Sequence, residues 1–273
     1  MVYCKLEEVI FIAMDANYAK SIKLTIMIGE IMLSSGAETY RVEDTMIRIL
    51  QKCGLSSPEA LCTSTSIFAS GAGTDGMPIT ALRRVKNRGN NFNRIAIVND
   101  LSRSFVEGKL DIDEAVVAVE NITAMPPYPH IIRLVGSAVA SFCFATMLGG
   151  SMIDSLAAFI SAFLMQIPVL FLEKYHVAGV LRNIVGGACG AFFALVLLNF
   201  GIGANIDYII IGSIMPLVPG VSLTNAIRDI LDGDLLSGSA RILDAILVAI
   251  GIAAGVGTVF TIWISIFGGG LWT

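Results

Sequence analysis

The spacing of apolar residues changes character once along this chain, near residue 130. Upstream, apolar residues return at helix or strand spacing among charged ones. Downstream they run nearly unbroken for about twenty residues at a time, the length that crosses a bilayer. In the upstream part Tyr18, Ile22, Ile26, Gly29 and Leu33 trace one face of a helix over 16–33. Ser35-Gly-Ala-Glu38 has capping-box spacing and predicts a second helix reaching about Cys53, with Val42, Met46, Ile49 and Cys53 as its stripe and Gly54 as its stop. Residues 60–70 and 78–86 read as short strands, and helices over 92–107 and 111–123 follow, the latter with Asp111 and Glu114 at capping spacing. Met-Pro-Pro-Tyr-Pro-His over 125–130 is a stiff extended linker.

Downstream, five segments are long and apolar enough to span: 131–150, 153–172, 181–200, 206–227 and 242–267. Small residues recur at packing spacing in Gly136 with Ala140, Gly186 with Gly190 and Gly251 with Gly255. A faint internal echo pairs Gly150…Asp154 with Gly203…Asp207, each leading into a proline-containing span. Arg133, Lys174, Arg182, Arg228 and Arg241 all fall on the side of the upstream domain, and the opposite connections carry no Lys or Arg. The positive-inside rule therefore puts the upstream domain in the cytoplasm and the C-terminus outside, in an inner membrane. The acidic start, with Glu7 and Glu8 before a short apolar stretch, does not read as a secretory signal.

Charge sharpens this division. Of the 18 Lys and Arg residues, 13 lie in 1–132 and 5 in 133–273, and the 22 Asp and Glu residues divide 15 and 7. The net charge is −4, so no basic field exists to hold a nucleic acid. Five cysteines (Cys4, Cys53, Cys62, Cys143, Cys189) without C-x-x-C spacing read as small buried apolar residues. His130 and His176 lie far apart, so no metal or other cofactor is expected. Gly71-Ala-Gly-Thr-Asp-Gly76 matches a dinucleotide fingerprint in letters, yet a strand and not a helix follows it, so it reads as a hairpin turn. Arg83, Arg84, Lys86, Arg88 and Arg94 form a basic cluster, either a solvated edge or an attraction for anions.

The fourth span carries the densest chemistry. Pro216, Pro219 and Gly220 within five residues should interrupt the helix near its middle, because each proline removes a donor and clashes with the preceding turn. Freed backbone groups inside a membrane must be covered by protein or line a wet cavity. A half-helix starting near Gly220 would present N–H groups to a carboxylate, with Ser222, Thr224 and Asn225 just beyond. Pro216, Pro219, Gly220, Ser222, Thr224 and Asn225 are therefore the candidate substrate-binding residues. Arg228, Asp229, Asp232, Asp234 and Arg241 follow at the cytoplasmic mouth, as a gating or proton-relay group or as a solvated loop with its own ion pairs. Glu38 and Arg41 read as an ordinary i,i+3 pair. With Glu43 and Asp44 they could also suggest acid–base chemistry.

Ser35-Gly-Ala-Glu-Thr-Tyr-Arg-Val-Glu-Asp44, which contains Gly36, Glu38, Arg41 and Glu43, resembles the signature near the start of the threonine/serine exporter family. Leu217-Val-Pro-Gly220 through Asn225, Arg228-Asp229 and Ser237-Gly238 is similar to its membrane signature. The resemblance implies ATP-independent export of small amino acids. Because fused members continue with further spans, it also implies the longer subunit of the split, two-protein form, which needs a small membrane partner. Split members are linked to succinate, so dicarboxylate export is the nearest alternative.

The expected fold is an α+β cytoplasmic domain over 1–124, a Pro-rich linker over 125–130 and an all-α domain of five transmembrane helices over 131–273. The expected function is that of a subunit of a secondary exporter for a small carboxylate-bearing metabolite. A membrane-anchored hydrolase-like enzyme and a non-transporting assembly subunit are the readings of other classes.

Overall fold

The computed structural model describes residues 16–74, 76–86 and 89–267. In chain order the elements are α1 (Ala16–Ser34), α2 (Thr39–Lys52), β1 (Ser56–Cys62), β2 (Ser66–Ala72), β3 (Pro78–Arg84), α3 (Phe92–Val106) and α4 (Ile112–Ala124). Then come α5 (His130–Met147), α6 (Met152–Lys174), α7 (Gly179–Asn199), α8 (Ile206–Ile214), a 3₁₀ turn (Met215–Leu217), α9 (Gly220–Leu231) and α10 (Leu235–Phe267). The chain forms two compact units. One holds the described residues up to Pro126 together with Val221–Ile242; the other holds Pro127–Gly220 and the described residues from Leu243 onward. Residues 221–242, which hydropathy assigns to the membrane half, thus belong with the α+β unit.

In the first unit α1 is the central element. Ile22, Leu24, Ile28, Met32 and Leu33 are all at most 1% exposed, so the helix is buried over much more than one narrow stripe, with Lys20, Lys23 and Glu30 on its open side. Its buried Thr25 hydroxyl donates to the Ser21 carbonyl at 2.8 Å, which removes the cost of placing it there. Gly29 lets α2 approach, since a Cβ there would lie 2.7 Å from Met46 Sδ. The expected capping box at Ser35 and Glu38 does not form. Instead α1 runs to Ser34, the chain turns through Gly36 at φ +93°, and Glu38 is itself the N-cap of α2 without a side-chain capping bond. The Glu38 carboxylate is drawn to guanidinium groups, a stronger partner than a neutral amide.

The sheet has three antiparallel strands in the order β1-β2-β3. The single strand expected over 60–70 is a hairpin, closed where the Thr63 amide donates to the Ser66 carbonyl at 2.8 Å. The glycine-rich string joins β2 to β3 as the expected turn. Ile67, Ala69 and Ala81 face α1, and Arg83 reaches Glu30 of α1 at 3.0 Å. Asp111 and Glu114 form both bonds of their capping box, at 2.7 and 3.0 Å.

In the second unit α5, α6, α7 and α10 are long and apolar enough to cross a membrane, and a fifth span is counted only if the pair bent by 61° at Val218–Pro219 is one crossing. Here the fourth expected span divides. α8 has 9 residues and the 3₁₀ turn 3, a reach of about 20 Å against about 30 Å of hydrocarbon. Gly187 and Gly255 let α7 and α10 touch backbone to backbone, because a Cβ at either would overlap Ile252 or Ile184. Gly186 seats Leu217 of the 3₁₀ turn, and Gly190 seats Ser213 and Ile214, whereas Gly136 has open space around it. The internal echo ends at the level of structure. Asp154 is 2% exposed and accepts from the Ala204 and Asn205 amides at 2.6 and 3.0 Å, while Asp207 is exposed. Pro168 also sits inside a continuous α6, unlike Pro216. Among the described cysteines none is disulfide-bonded; Cys62 is buried, and Cys143 is exposed, against the expectation of burial.

Candidate functional site

The most densely bonded polar group in the first unit joins the turn between α1 and α2 to α9 and the start of α10. It arises from local backbone needs. The turn at Ser35–Gly36 leaves the Gly36 and Ala37 carbonyls without helical partners. The Asn225 side-chain amide donates to the Gly36 carbonyl at 2.8 Å, and Arg241 Nη2 donates to the Ala37 carbonyl at 3.1 Å. A Cβ at Gly36 would lie 2.8 Å from Asn90 Oδ1, so this position needs glycine for space as well as for its positive φ.

Next in sequence, the N-terminus of α2 requires acceptors for its first amides. Asp229 supplies one from 190 residues away: Thr39 N and Thr39 Oγ1 donate to Asp229 Oδ1 at 3.2 and 2.8 Å. A negative charge at that end also suits the helix dipole. Asp229 is fully buried, and its other oxygen lies 3.0 Å from Nε of the buried Arg241. Glu38, 6% exposed, takes Arg228 at 2.5 Å and Arg41 at 3.3 Å. Burial raises the Glu38 carboxyl, but its own backbone amide, Arg41 and Arg228 outweigh that and hold it below the ordinary glutamate range.

The corner between α9 and α10 is shaped for this. Gly233 turns the chain at φ +93°, and the Asp234 amide closes on the Asp229 carbonyl at 2.8 Å. Gly238 lets α10 ride on α9, since a Cβ there would meet Ala226 O at 2.8 Å. Asp234 caps α10 by accepting from the Ser237 amide at 3.1 Å. Glu43 of α2 accepts from the Cys62 amide of β1 at 2.7 Å.

Of the residues singled out in the sequence, Gly36, Glu38, Arg41, Asn225, Arg228, Asp229 and Arg241 come together. Asp232 is exposed and outside the group. Pro216, Pro219 and Gly220 form the break, with Val218 extended at φ −65° and ψ 131°, and the 3₁₀ turn reclaims the Gly212 carbonyl through the Met215 amide. Ser222 is half-buried and Thr224 exposed in the first turns of α9. The basic cluster resolves into separate roles: Arg83 pairs with Glu30, Arg94 donates to the Met125 carbonyl, Arg84 and Lys86 are exposed, and Arg88 lies outside the described residues. Thr39 was missed by sequence reasoning, because a threonine inside a motif carries no sign that its partner is so distant.

A family model described as "Putative threonine/serine exporter" matches residues 23–263. The chain is 27% identical over 244 residues to a probable threonine/serine exporter of Mycobacterium tuberculosis, covering 89% of this chain and 46% of that protein. It is 28% identical over 249 residues to a threonine/serine exporter of Corynebacterium glutamicum, covering 89% and 51%. It is 26% identical over 246 residues to the probable succinate transporter subunit YjjP of Escherichia coli, covering 88% and 94%. The chain thus spans about half the length of the first two relatives. No solved structure matches it.

Proposed function

The chain belongs to the threonine/serine exporter family, and we propose that it works as one part of a secondary exporter of small carboxylate-bearing solutes, threonine and serine foremost. One observation carries this reading: an apolar segment interrupted at Met215–Gly220 leads straight into α9, whose Asn225, Arg228 and Asp229 are bonded to the family's N-terminal motif. A break within apolar sequence is a place where a solute can meet backbone groups. In this reading backbone groups around Pro216, Pro219 and Gly220, with Ser222 and Thr224, receive the carboxylate. Asn225 acts as a structural strut and not as a ligand, since its amide is used on Gly36. The α+β unit lies in the cytoplasm of a cell with this exporter in its inner membrane.

A dicarboxylate is the second reading, and one finding favours it: the chain matches the succinate transporter subunit over nearly that protein's whole length. That relative's designation as a subunit supports a second, short membrane protein as partner.

Co-expression with a neighbouring short membrane protein, followed by threonine and succinate efflux from preloaded cells, separates the two solutes. Pro219→Ala and Ser222→Ala are expected to abolish efflux while the protein stays in the membrane. Unchanged export from both would remove the break from the solute path.

A further inference from the structure

Polar side chains inside an apolar helix bundle are expensive and are ordinarily bonded. In the second unit the buried serines Ser141, Ser155, Ser161 and Ser213 obey this. Their hydroxyls bond to the Ser137 carbonyl, the Thr146 hydroxyl, the Gly190 carbonyl and the Ile210 carbonyl respectively, at 2.8 to 2.9 Å. Ser137 of α5 is the exception: it is 9% exposed, and its hydroxyl has no partner. Gln166 of α6 is 8% exposed, and its side-chain amide bonds to none of the described residues.

Helix contacts put both residues level with the 3₁₀ turn. α5 and α8 run antiparallel. A Cβ on Gly150, past the end of α5, would lie 3.1 Å from Tyr208 Cβ; one on Gly212 would lie 2.8 Å from Ala145 Cβ and 3.1 Å from the Ser141 carbonyl oxygen. Ser137, Ser141 and Ala145 share one buried stripe. One more turn along each helix, about 6 Å, brings Ser137 level with Pro216, and α5 packs against the 3₁₀ turn. α7 fixes the other residue. A Cβ on Gly190 would lie 3.4 Å from Met165 Sδ and 3.1 Å from Ile214, and one on Gly186 would lie 3.2 Å from Val169 and 2.7 Å from Leu217. Gln166 stands between Met165 and Val169, as Met215 and Pro216 stand between Ile214 and Leu217. Two residues on, Pro168 withholds the amide that would have bonded the Leu164 carbonyl.

Resting on the exporter reading, we infer that Ser137 and Gln166 form the subsite that reads the side-chain hydroxyl of a hydroxyamino acid whose carboxylate is held at the break. A hydroxyl and a carboxamide each offer both donor and acceptor, which matches an alcohol. A second carboxylate would need a cation instead. The described cations of the second unit are Arg133, Lys174 and Arg182, all in end turns of their helices, and Arg133 lies 2.6 Å from Glu173.

The test is efflux of threonine, 2-aminobutyrate and succinate from preloaded cells carrying the full chain and the short membrane protein. 2-Aminobutyrate is threonine without its hydroxyl. The wild type is expected to export threonine over 2-aminobutyrate by about tenfold or more, because a site built for a hydroxyl rejects the analogue lacking it. Ser137→Ala and Gln166→Leu should each bring that ratio toward one. A wild type that does not distinguish the two amino acids overturns the subsite. So does an unmoved ratio, or joint loss of both amino acids, in either membrane-inserted variant. Export of succinate alone overturns the subsite and leaves the exporter reading standing, whereas export of none of the three removes both. Ser137→Ala deletes one unbonded oxygen and decides the matter where Gln166→Leu fails to fold.

Discussion

The two units of this protein differ in how far they draw on distant charges to satisfy buried polar groups. In the α+β unit, charges far apart in sequence meet: Asp229 caps α2, Arg241 sits on Asp229, and Arg228 reaches Glu38. In the other unit, hydroxyls mostly return to their own helix, as Ser141 does to the Ser137 carbonyl and Thr258 to the Ala254 carbonyl. Helices there approach through glycine, as at Gly187 and Gly255. An aqueous domain can recruit distant charges because they are hydrated while the chain searches. A lipid-facing segment must satisfy its polar groups before it meets its neighbours. The first unit should therefore fail when one partner of a pair is lost, and the second when space is lost.

The largest effect expected from that contrast is at Asp229. Asp229→Ala removes the carboxylate beside the buried Arg241 guanidinium and uncaps α2, at a cost of about 3–5 kcal/mol. Chemical denaturation monitored by α+β-unit fluorescence labels should show it, with Asp229→Leu plus Arg241→Met recovering part of the loss. A fully stable single mutant would mean the network is not what holds α9. Next, Gly255→Val should destabilise by about 1–3 kcal/mol or more through overlap with Ile184. Thermal unfolding in detergent measures it, and tolerance there would contradict close helix contact as the second unit's device.

Smaller and pH-dependent is Glu38→Gln. Its carboxyl is held below the ordinary range, so its stabilisation is present above about 4.5 and lost as pH falls through the lowered value. Half of Arg228 is in solvent, which limits the pair to about 1 kcal/mol near neutrality. Stability curves of the mutant should lose part of the wild type's acid limb. The smallest effect belongs to Gly136→Ala, expected within about ±0.5 kcal/mol because open space surrounds it. Melting temperatures of these two glycine variants side by side give the sharpest internal control.

Much of the architecture is legible in the chain because it depends on neighbours in sequence. The capping box at Asp111, the hairpin after Ala72 and the long apolar helices follow from local spacing. Errors fall where a distant partner intervened or where local propensity pointed two ways. Glu38 reads as a local cap until Arg228 claims it. The string 60–70 reads as one strand because two of its three turn residues, Thr63 and Thr65, are also good strand formers. The break at Pro216 and Pro219 is plain from proline chemistry, yet hydropathy alone placed α9 with the membrane spans. Its amphipathic face, carrying Asn225, Ala226 and Asp229, is buried in the α+β unit instead.

Periodicity, proline and charge thus settled which segments are helices, which are apolar enough to cross lipid and where the chain must break. They did so because backbone hydrogen bonding and hydration are decided within a few residues. Which charges pair was decided only by folding. Coulomb attraction and desolvation depend on distance in space, and residues 38 and 228 acquire a distance only when α9 packs against the turn before α2.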